Sequence, residues 1–365
     1  MSTDNIITFK PKFLCSAIGS LPYENADAAA DFILSILKDG APIWPQLSKL
    51  GLNEQMEIQY SEGIPSAVID REKGRMFIDT ASDYSEKFAE FYETYMTAMD
   101  PESGNGDCEA MSISEDFSKG IYAVERALKK RGEKIPWFKV QTTGPCSFAL
   151  TIVDENKRAI FYNEEFRDVI VKALAMKCRW QIQKFKSYAK NIICFIDEPI
   201  LSAFGSSTYI SVKREDVVNL LKEVVDAIHA DGALAGTHCC GNTEWSILVD
   251  AGVDIINVDA FNYGETISMY PDAIKKLFAR GGMIAWGAVP TSKEIRNQSV
   301  ETLAVRLQKV MDILSSKGID EKQIAEQALI TPSCGTGSMD LEDARRVFET
   351  TAELSRFMKH KYKFN

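Results

Sequence analysis

Short apolar runs, each followed by a polar corner and a long amphipathic segment, recur along this chain. Eight of the runs have the length and composition of buried strands. They are Phe13–Ile18, Ile43–Leu47, Trp137–Thr142, Ile192–Ile196, Ala233–His238, Ile255–Asp259, Met283–Gly287 and Ala328–Thr331. Strands that alternate with helices predict a parallel sheet, and eight such units predict an α/β fold of the (β/α)8 TIM-barrel type.

Helix-period patterns fill the stretches between these runs. The predicted helices are Asp27–Leu37, Asp83–Met99, Phe117–Lys130, Asn163–Ala189, Arg214–Ala230, Thr243–Ala251, Ile267–Arg280, Val300–Leu314 and Leu341–His360. Two short runs, Ser66–Asp70 and Met76–Thr80, flank a turn and predict a hairpin. We therefore expect a single barrel over 1–365, interrupted near its N-terminal third by an insertion over 51–135 that carries this hairpin and helices.

Composition narrows the class of protein. The net charge of −10 gives no electrostatic basis for binding nucleic acid. No apolar run reaches the roughly 18 residues of a membrane span, and the first residues do not form a secretory signal. Eight cysteines scattered over 365 residues are not a disulfide scaffold. These features predict a cytoplasmic protein without a nucleic-acid or membrane partner.

The candidate chemistry lies at the strand ends, where a barrel carries its active site. His238 and Cys240 are separated by one residue, so on an extended strand their side chains face the same way. Cys334 follows the eighth run, and in a closed barrel its thiol faces the same mouth. Two cysteines and one histidine with an open position are the ligands of a catalytic zinc ion, so we predict Zn²⁺ at His238, Cys240 and Cys334.

The fourth ligand is left open by the pattern. Asp259, at the sixth strand end, is the nearest carboxylate, Glu265 is a weaker choice, and a substrate atom is the alternative. Cys239 is expected to face the barrel wall. The other cysteines are expected to be buried structural residues, namely Cys15, Cys108, Cys146, Cys178 and Cys194.

Two further strand ends offer groups that suit an amino acid substrate. Asp197 and Glu198 follow an apolar strand, where carboxylates are costly unless exposed or paired. Asp197 can bind an ammonium group and Glu198 can orient it, although a capping role in a helix N-terminus explains the pair equally simply. Ser20 can hold a carboxylate with its hydroxyl and nearby backbone amides, or it can merely turn the chain before Pro22.

Six motifs in this order resemble the catalytic barrel of cobalamin-independent methionine synthase. They are IGSLP, TTGP, IDEPIL, GTHCCGN, VDIINVDAF and TPSCGTG. They also resemble the wider superfamily of uroporphyrinogen decarboxylase and the methylcobalamin:coenzyme M methyltransferases. The resemblance covers nearly the whole chain and implies zinc-dependent methyl transfer to a thiol. It carries the zinc ligands to His238, Cys240 and Cys334, and homocysteine binding to Ile18, Ser20, Asp197 and Glu198.

This chain departs from the methionine synthase pattern in three places. Asp259 stands where the family has a glutamate ligand, one methylene longer. We expect no counterpart of the family's additional N-terminal barrel, because the motifs resemble the catalytic barrel alone. The family's second homocysteine-binding glutamate has no clear match, with Glu57 and Glu62 as candidates. The methyl donor is therefore open between methylfolate and a methyl-corrinoid protein. The alternatives are a methylcobalamin:coenzyme M-type methyltransferase and a non-catalytic zinc-binding barrel of a corrinoid system.

Overall fold

The computed structural model describes residues 7–99 and 108–364 of the chain. Over these residues seven parallel strands form one curled sheet, and two more form a hairpin. The strands are β1 (Leu14–Cys15), β2 (Ala67–Asp70), β3 (Arg75–Ile78), β4 (Ile135–Thr143), β5 (Ala189–Asp197), β6 (Leu234–Cys239), β7 (Ile255–Val258), β8 (Met283–Val289) and β9 (Ala328–Pro332). The sheet order is β1-β9-β8-β7-β6-β5-β4, so the first and last strands are neighbours.

Helices follow the strands along the chain. They are α1 (Ala26–Ile36), α2 (Ser85–Met99), α3 (Lys119–Arg131), α4 (Pro145–Thr151), α5 (Glu164–Phe185), α6 (Arg214–Ala230), α7 (Ser246–Asp250), α8 (Pro271–Ala279), α9 (Val300–Ser316), α10 (Glu321–Glu326) and α11 (Leu341–Lys361). Short 3-10 helices connect them at Ser48–Leu50, Leu52–Glu54, Ile58–Tyr60, Glu109–Met111, Ile160–Tyr162, Pro199–Ala203, Ser207–Tyr209, Gly264–Met269 and Lys293–Asn297. None of the helices in the described ranges is long and apolar enough to cross a bilayer.

The prediction of eight regular strands was wrong at one position, Ile43–Leu47. This segment lies between β1 and β4 but forms only isolated parallel bridges, from Ile43 to Lys139 and from Gln46 to Ser20. Pro42 and Pro45 explain the difference, because proline has no N–H to donate to a ladder of strand hydrogen bonds. The α/β architecture is confirmed as a curled seven-stranded parallel sheet with helices, which is compatible with a TIM-like barrel. The eighth regular strand of a complete barrel is not confirmed.

The predicted hairpin is present as β2 and β3. The two strands pair antiparallel, with Ala67 opposite Ile78 and Asp70 opposite Arg75.

Two predicted helices differ from the observed ones in their ends. Ile267–Arg280 is divided at Pro271 into a 3-10 helix and α8, and Asn163–Ala189 stops at Phe185 because Ala189 begins β5. The boundaries of a single domain over 1–365 with an insertion over 51–135 stay a prediction. Residues 1–6, which entered the prediction of localisation, lie outside the described part.

The two faces of the sheet separate core from site. Alternate strand residues pack outward against the helices in the main hydrophobic core, among them Cys194, Ile256 and Val258. The other residues face the inside of the curl, which we call the inner face. Its lower part is an apolar cluster that includes Ile193, Phe195, Ile255, Ala285 and Leu329. Polar residues take the inner face above this cluster, toward the carboxyl ends of the strands.

Candidate metal and substrate site

Three side chains meet at the carboxyl ends of β6 and β9. His238 is the fifth residue of β6, Cys240 follows that strand, and Cys334 follows β9. One imidazole nitrogen and the two sulfur atoms all lie within 4.8 Å of one another. Within the described ranges, this is the one group of His, Cys, Asp and Glu side chains with ligand atoms placed to share a metal ion. The structure thus brings together the three residues that the sequence predicted.

The imidazole of His238 is buried and held on one side only. Its Nδ1 atom forms a hydrogen bond with the side-chain oxygen of Asn257, on the neighbouring strand β7. Its Nε2 atom is buried without a hydrogen-bond partner. Burial lowers the pKa of His238 to about 4, so the ring is neutral near pH 7 and keeps a lone pair for a ligand.

The two thiols interact with each other. Their hydrogen bond lowers the pKa of Cys240 to about 7 and raises that of Cys334. Cys240 is therefore the first of the pair to become a thiolate, and Cys334 holds the shared proton. Cys239 points away from them and is fully buried, as predicted, and burial raises its pKa to about 12.

The loop that carries Cys334 is tied to the strands on both of its sides. The Ser333 amide donates to the carbonyl of Val289 in β8 at 2.8 Å. The Thr336 amide and hydroxyl donate to the Ser20 carbonyl, and the Gly337 amide donates to the Ser20 hydroxyl at 3.3 Å. A Cβ atom on Gly335 would lie 2.0 Å from Ser20 Oγ, so any other residue there would displace the Ser20 hydroxyl from its bond with the Gly337 amide. Ser20 thus lies beside Cys334, where it positions the thiol loop.

Asp197 lies directly opposite His238 in the pairing of β5 with β6, on the same inner face. One of its carboxylate oxygens, Oδ1, is buried and has no hydrogen-bond partner. Burial raises the pKa of Asp197 to about 6, and the nearby Lys139 ammonium opposes this shift. The carboxylate is therefore available to a cationic group that enters beside the three ligand atoms.

Glu198 does not share this position. It is fully buried, and its carboxylate accepts hydrogen bonds from the Cys146 amide, the Ser147 amide and the Ser147 hydroxyl at 2.7–2.9 Å. These amides belong to the first turn of α4, so the carboxylate caps the N-terminus of that helix. Burial raises the pKa of Glu198 to about 7, against the effect of these bonds. The position of Glu198 matches the alternative prediction of a helix cap. The helix that it caps is α4, which follows β4, whereas Glu198 itself follows β5.

The remaining predicted residues lie outside the three-atom group. Both oxygens of Asp259 accept bonds from Asn262, through its backbone and side-chain nitrogens at 2.9 and 2.8 Å. Glu265 is exposed in a 3-10 helix, and Ile18 is buried in the inner apolar cluster. Glu62 accepts a bond from the Ser114 amide at 2.7 Å. Burial raises the pKa of Glu57.

Sequence reasoning missed two inner-face residues that support the site. Asn257 contacts His238 directly, and Lys139 is a fully buried ammonium that donates to Gln141 and lies over the ring of Phe195. Burial lowers the pKa of Lys139 to about 8. The alternation of strand residues contained the signal, since Asn257 lies two residues before Asp259 and Lys139 occupies an inward position of β4.

The three ligand atoms fit a metal ion. An imidazole nitrogen with a free lone pair and two thiols, one of which ionises near neutral pH, are ligands that zinc takes in protein sites. No fourth His, Cys, Asp or Glu side chain joins the group in the described ranges. A four-coordinate zinc ion held by these three residues would therefore have one position for an exchangeable ligand. The cluster can therefore hold a metal ion with an open position.

Comparison with known proteins gives one sequence relative and similar folds. A methionine synthase of Methanocaldococcus jannaschii is 23% identical over 304 residues, which cover 82% of this chain and 90% of that protein. A methyltransferase from Methanosarcina mazei has a similar structure, with a TM-score of 0.54 and 13% identity over 95% of this chain and 94% of that one. A B12-independent methionine synthase from a Shewanella species gives a TM-score of 0.43 and 15% identity, over 65% of this chain and 67% of that one.

No family model matches the chain. The fold it shares with the Methanosarcina mazei protein extends over almost the full length of both chains. The methionine synthase relative likewise aligns over most of both sequences. Together with the six motifs, this relative confirms the resemblance of the chain to methionine synthases.

Proposed function

We propose that this protein is a zinc-dependent methyltransferase that moves a methyl group to a thiol, with homocysteine as the first-choice acceptor and methionine as the product. The observation that carries the proposal is the meeting of His238, Cys240 and Cys334 within 4.8 Å at the strand ends. The methionine synthase relative supports the reaction class.

The proposed chemistry needs a thiolate, because the neutral thiol is a poor nucleophile. Zinc, when bound, lowers the pKa of a coordinated thiol and orients it. Asp197, with its unpartnered Oδ1, binds the ammonium group of the amino acid, and Ser20 with the backbone near Ile18 holds its carboxylate end. The substrate sulfur forms a bond to the methyl carbon while the bond from methyl to donor breaks, and the donor keeps that electron pair.

Asp259 remains the proposed fourth ligand of the resting site. Its two oxygens already accept bonds from Asn262, so ligation requires it to exchange at least one of them for the metal. Displacement of Asp259 by the incoming thiol would return the carboxylate to Asn262. The hydrogen bonds from Asn262 support this proposal, because they would hold the Asp259 carboxylate once it leaves the metal.

Methylfolate and a methyl-corrinoid protein are both proposed as donors, and a small-molecule thiol is the proposed acceptor. A coenzyme M-type acceptor carries a sulfonate, which the Asp197 carboxylate would repel. Homocysteine is therefore the preferred acceptor. Cys15, Cys240 and Cys334 are among the free thiols of the described residues, which suits a reducing compartment such as the cytoplasm.

Zinc content and zinc X-ray absorption of the purified protein, with and without L-homocysteine, test the proposal. We expect one zinc per chain, with two sulfur neighbours at rest and three after homocysteine is added. Asp259→Ala should lose one oxygen neighbour at rest and keep zinc, whereas Cys334→Ser should lose both zinc and thiol methylation. Zinc with an unchanged shell would support a non-catalytic site, and a response to 2-mercaptoethanesulfonate alone would support the coenzyme M-type alternative. Protein without zinc would overturn the proposal.

A further inference from the structure

Asn257 lies at the centre of a hydrogen-bond network on the inner face of the sheet. It belongs to β7 and is completely buried. Its side-chain nitrogen makes two bonds of 2.8 Å, to the carbonyl oxygen of Ala285 in β8 and to the hydroxyl of Thr331 in β9. Its side-chain oxygen faces Nδ1 of His238 in β6. One amide therefore joins four successive strands of the sheet beneath the candidate metal site.

The network fixes which atom of the amide faces the histidine. A backbone carbonyl can only accept a hydrogen bond, so the atom of Asn257 that faces Ala285 must be the nitrogen. The atom that faces His238 is then the oxygen, which can only accept. Nδ1 of His238 must therefore carry the hydrogen in the neutral ring.

This assignment determines the chemistry of the other ring nitrogen. With the hydrogen on Nδ1, Nε2 has a lone pair and no hydrogen. Nε2 is also the buried atom without a hydrogen-bond partner. The opposite tautomer would place a hydrogen on Nε2, where it would block ligation, and would set the Nδ1 lone pair against the amide oxygen.

We propose that Asn257 is a positioning residue that holds the His238 imidazole in the Nδ1–H tautomer and so presents Nε2 to the metal. The proposal rests on the proposed function, since it assumes that the cluster binds zinc. Residues that hydrogen-bond the second nitrogen of a histidine ligand orient the ring, and their loss typically lowers metal affinity about 10–100-fold. Asn257 also leaves the site uncharged, unlike a carboxylate in the same place.

The tautomer can be measured in metal-free protein, independently of zinc and activity. The chain has only three histidines, so ¹⁵N-labelled imidazole resonances can be assigned with His229→Gln and His360→Gln variants. We expect His238 of the unmodified protein to carry its hydrogen on Nδ1. In Asn257→Leu, which has no amide, we expect the Nε2–H form to become populated. An unchanged tautomer in Asn257→Leu would overturn the proposal.

Zinc affinity gives the second readout, through competition with a chelating dye. We expect Asn257→Leu to bind zinc about 10–100-fold more weakly. Thr331→Val removes one of the two anchors of the amide nitrogen and should cause a smaller loss, which keeps the test valid if Asn257→Leu does not fold. The matched control is Thr237→Val, next to His238, because the Thr237 hydroxyl is buried without a partner.

The outcomes separate this inference from the proposed function. Absence of zinc from the unmodified protein would overturn the proposed function. Normal zinc binding by the unmodified protein together with equal affinity in Asn257→Leu and Thr331→Val would overturn the role of Asn257 alone. An equal loss of affinity in Thr237→Val would point to a general packing defect, and it would also count against the specific role of Asn257.

Discussion

At the scale of single residues, the three candidate ligands differ in pKa because their surroundings differ. His238 is already neutral, because burial lowers its pKa to about 4. Cys240 ionises near pH 7, while its partner Cys334 holds the shared proton to higher pH. A metal ion must displace the thiol protons before it can bind sulfur, so metal affinity should rise with pH.

The number of protons released on zinc binding tests these differences in pKa. At pH 6 both thiols are protonated, and we expect binding to release about two protons. At pH 8 Cys240 is already a thiolate, and we expect about one. Isothermal titration calorimetry in buffers of different ionisation enthalpy counts these protons. Release of a third proton at pH 6 would contradict the low pKa of His238.

At the scale of elements, the ends of β4 and β5 are joined through Glu198. Its carboxylate follows β5 and accepts the amides of the first turn of α4, which follows β4. A Cβ atom on Gly144 would lie 2.1 Å from the Glu198 side chain, so the glycine is required for this close approach. Glu198 therefore holds the strand end that carries Asp197.

Glu198→Gln should lower stability without removing zinc. The amide nitrogen of glutamine would face a backbone N–H, which leaves one buried donor unsatisfied and costs about 1–3 kcal/mol. Urea unfolding measures this loss, and Ser202→Ala, an exposed site nearby, is the control. Unchanged stability combined with lost homocysteine binding would instead show that Glu198 contacts the substrate directly.

The elements also show what the sequence could predict. The hydrophobic periodicity and the apolar runs of the sequence predict β4 to β9 and most helices, because these elements depend on the local order of residues. The segment Ile43–Leu47 has the apolar residues of a strand, but Pro42 before it and Pro45 within it have no N–H for a regular ladder, so it is irregular. The contacts of Glu198 with α4 and of Asn257 with β8 and β9 could not be predicted, because they join residues far apart in the chain.

At the scale of the whole molecule, the three ligand residues lie at the ends of two strands, β6 and β9, that are not neighbours. β6 and β9 are separated in the sheet by β7 and β8. A metal held by His238, Cys240 and Cys334 would therefore link distant parts of the sheet, in addition to its proposed role in activating a thiol. Because the unfolded chain does not bring these atoms together, metal binding should stabilise the folded state.

Removal of zinc should thus lower the thermal stability of the protein. Free zinc at about a hundredfold excess over its Kd would contribute about 2.7 kcal/mol. We expect a chelator to lower the Tm of the unmodified protein and to leave that of Cys334→Ser unchanged. An equal effect of chelator on both proteins would mean that zinc stabilises the fold at another place.

The neighbouring position of β1 and β9 has a consequence for synthesis on the ribosome. β1 is made first, yet within the sheet its regular partner is the last strand to be made. Cys334 and the Ser20 contact that holds its loop are completed at the same late moment. A nascent chain that has passed His238 and Cys240 therefore exposes two potential ligands without the third. Metal capture by all three ligands must wait until Cys334 has emerged, so metal occupancy would mark a chain that has been made through Cys334 and has folded.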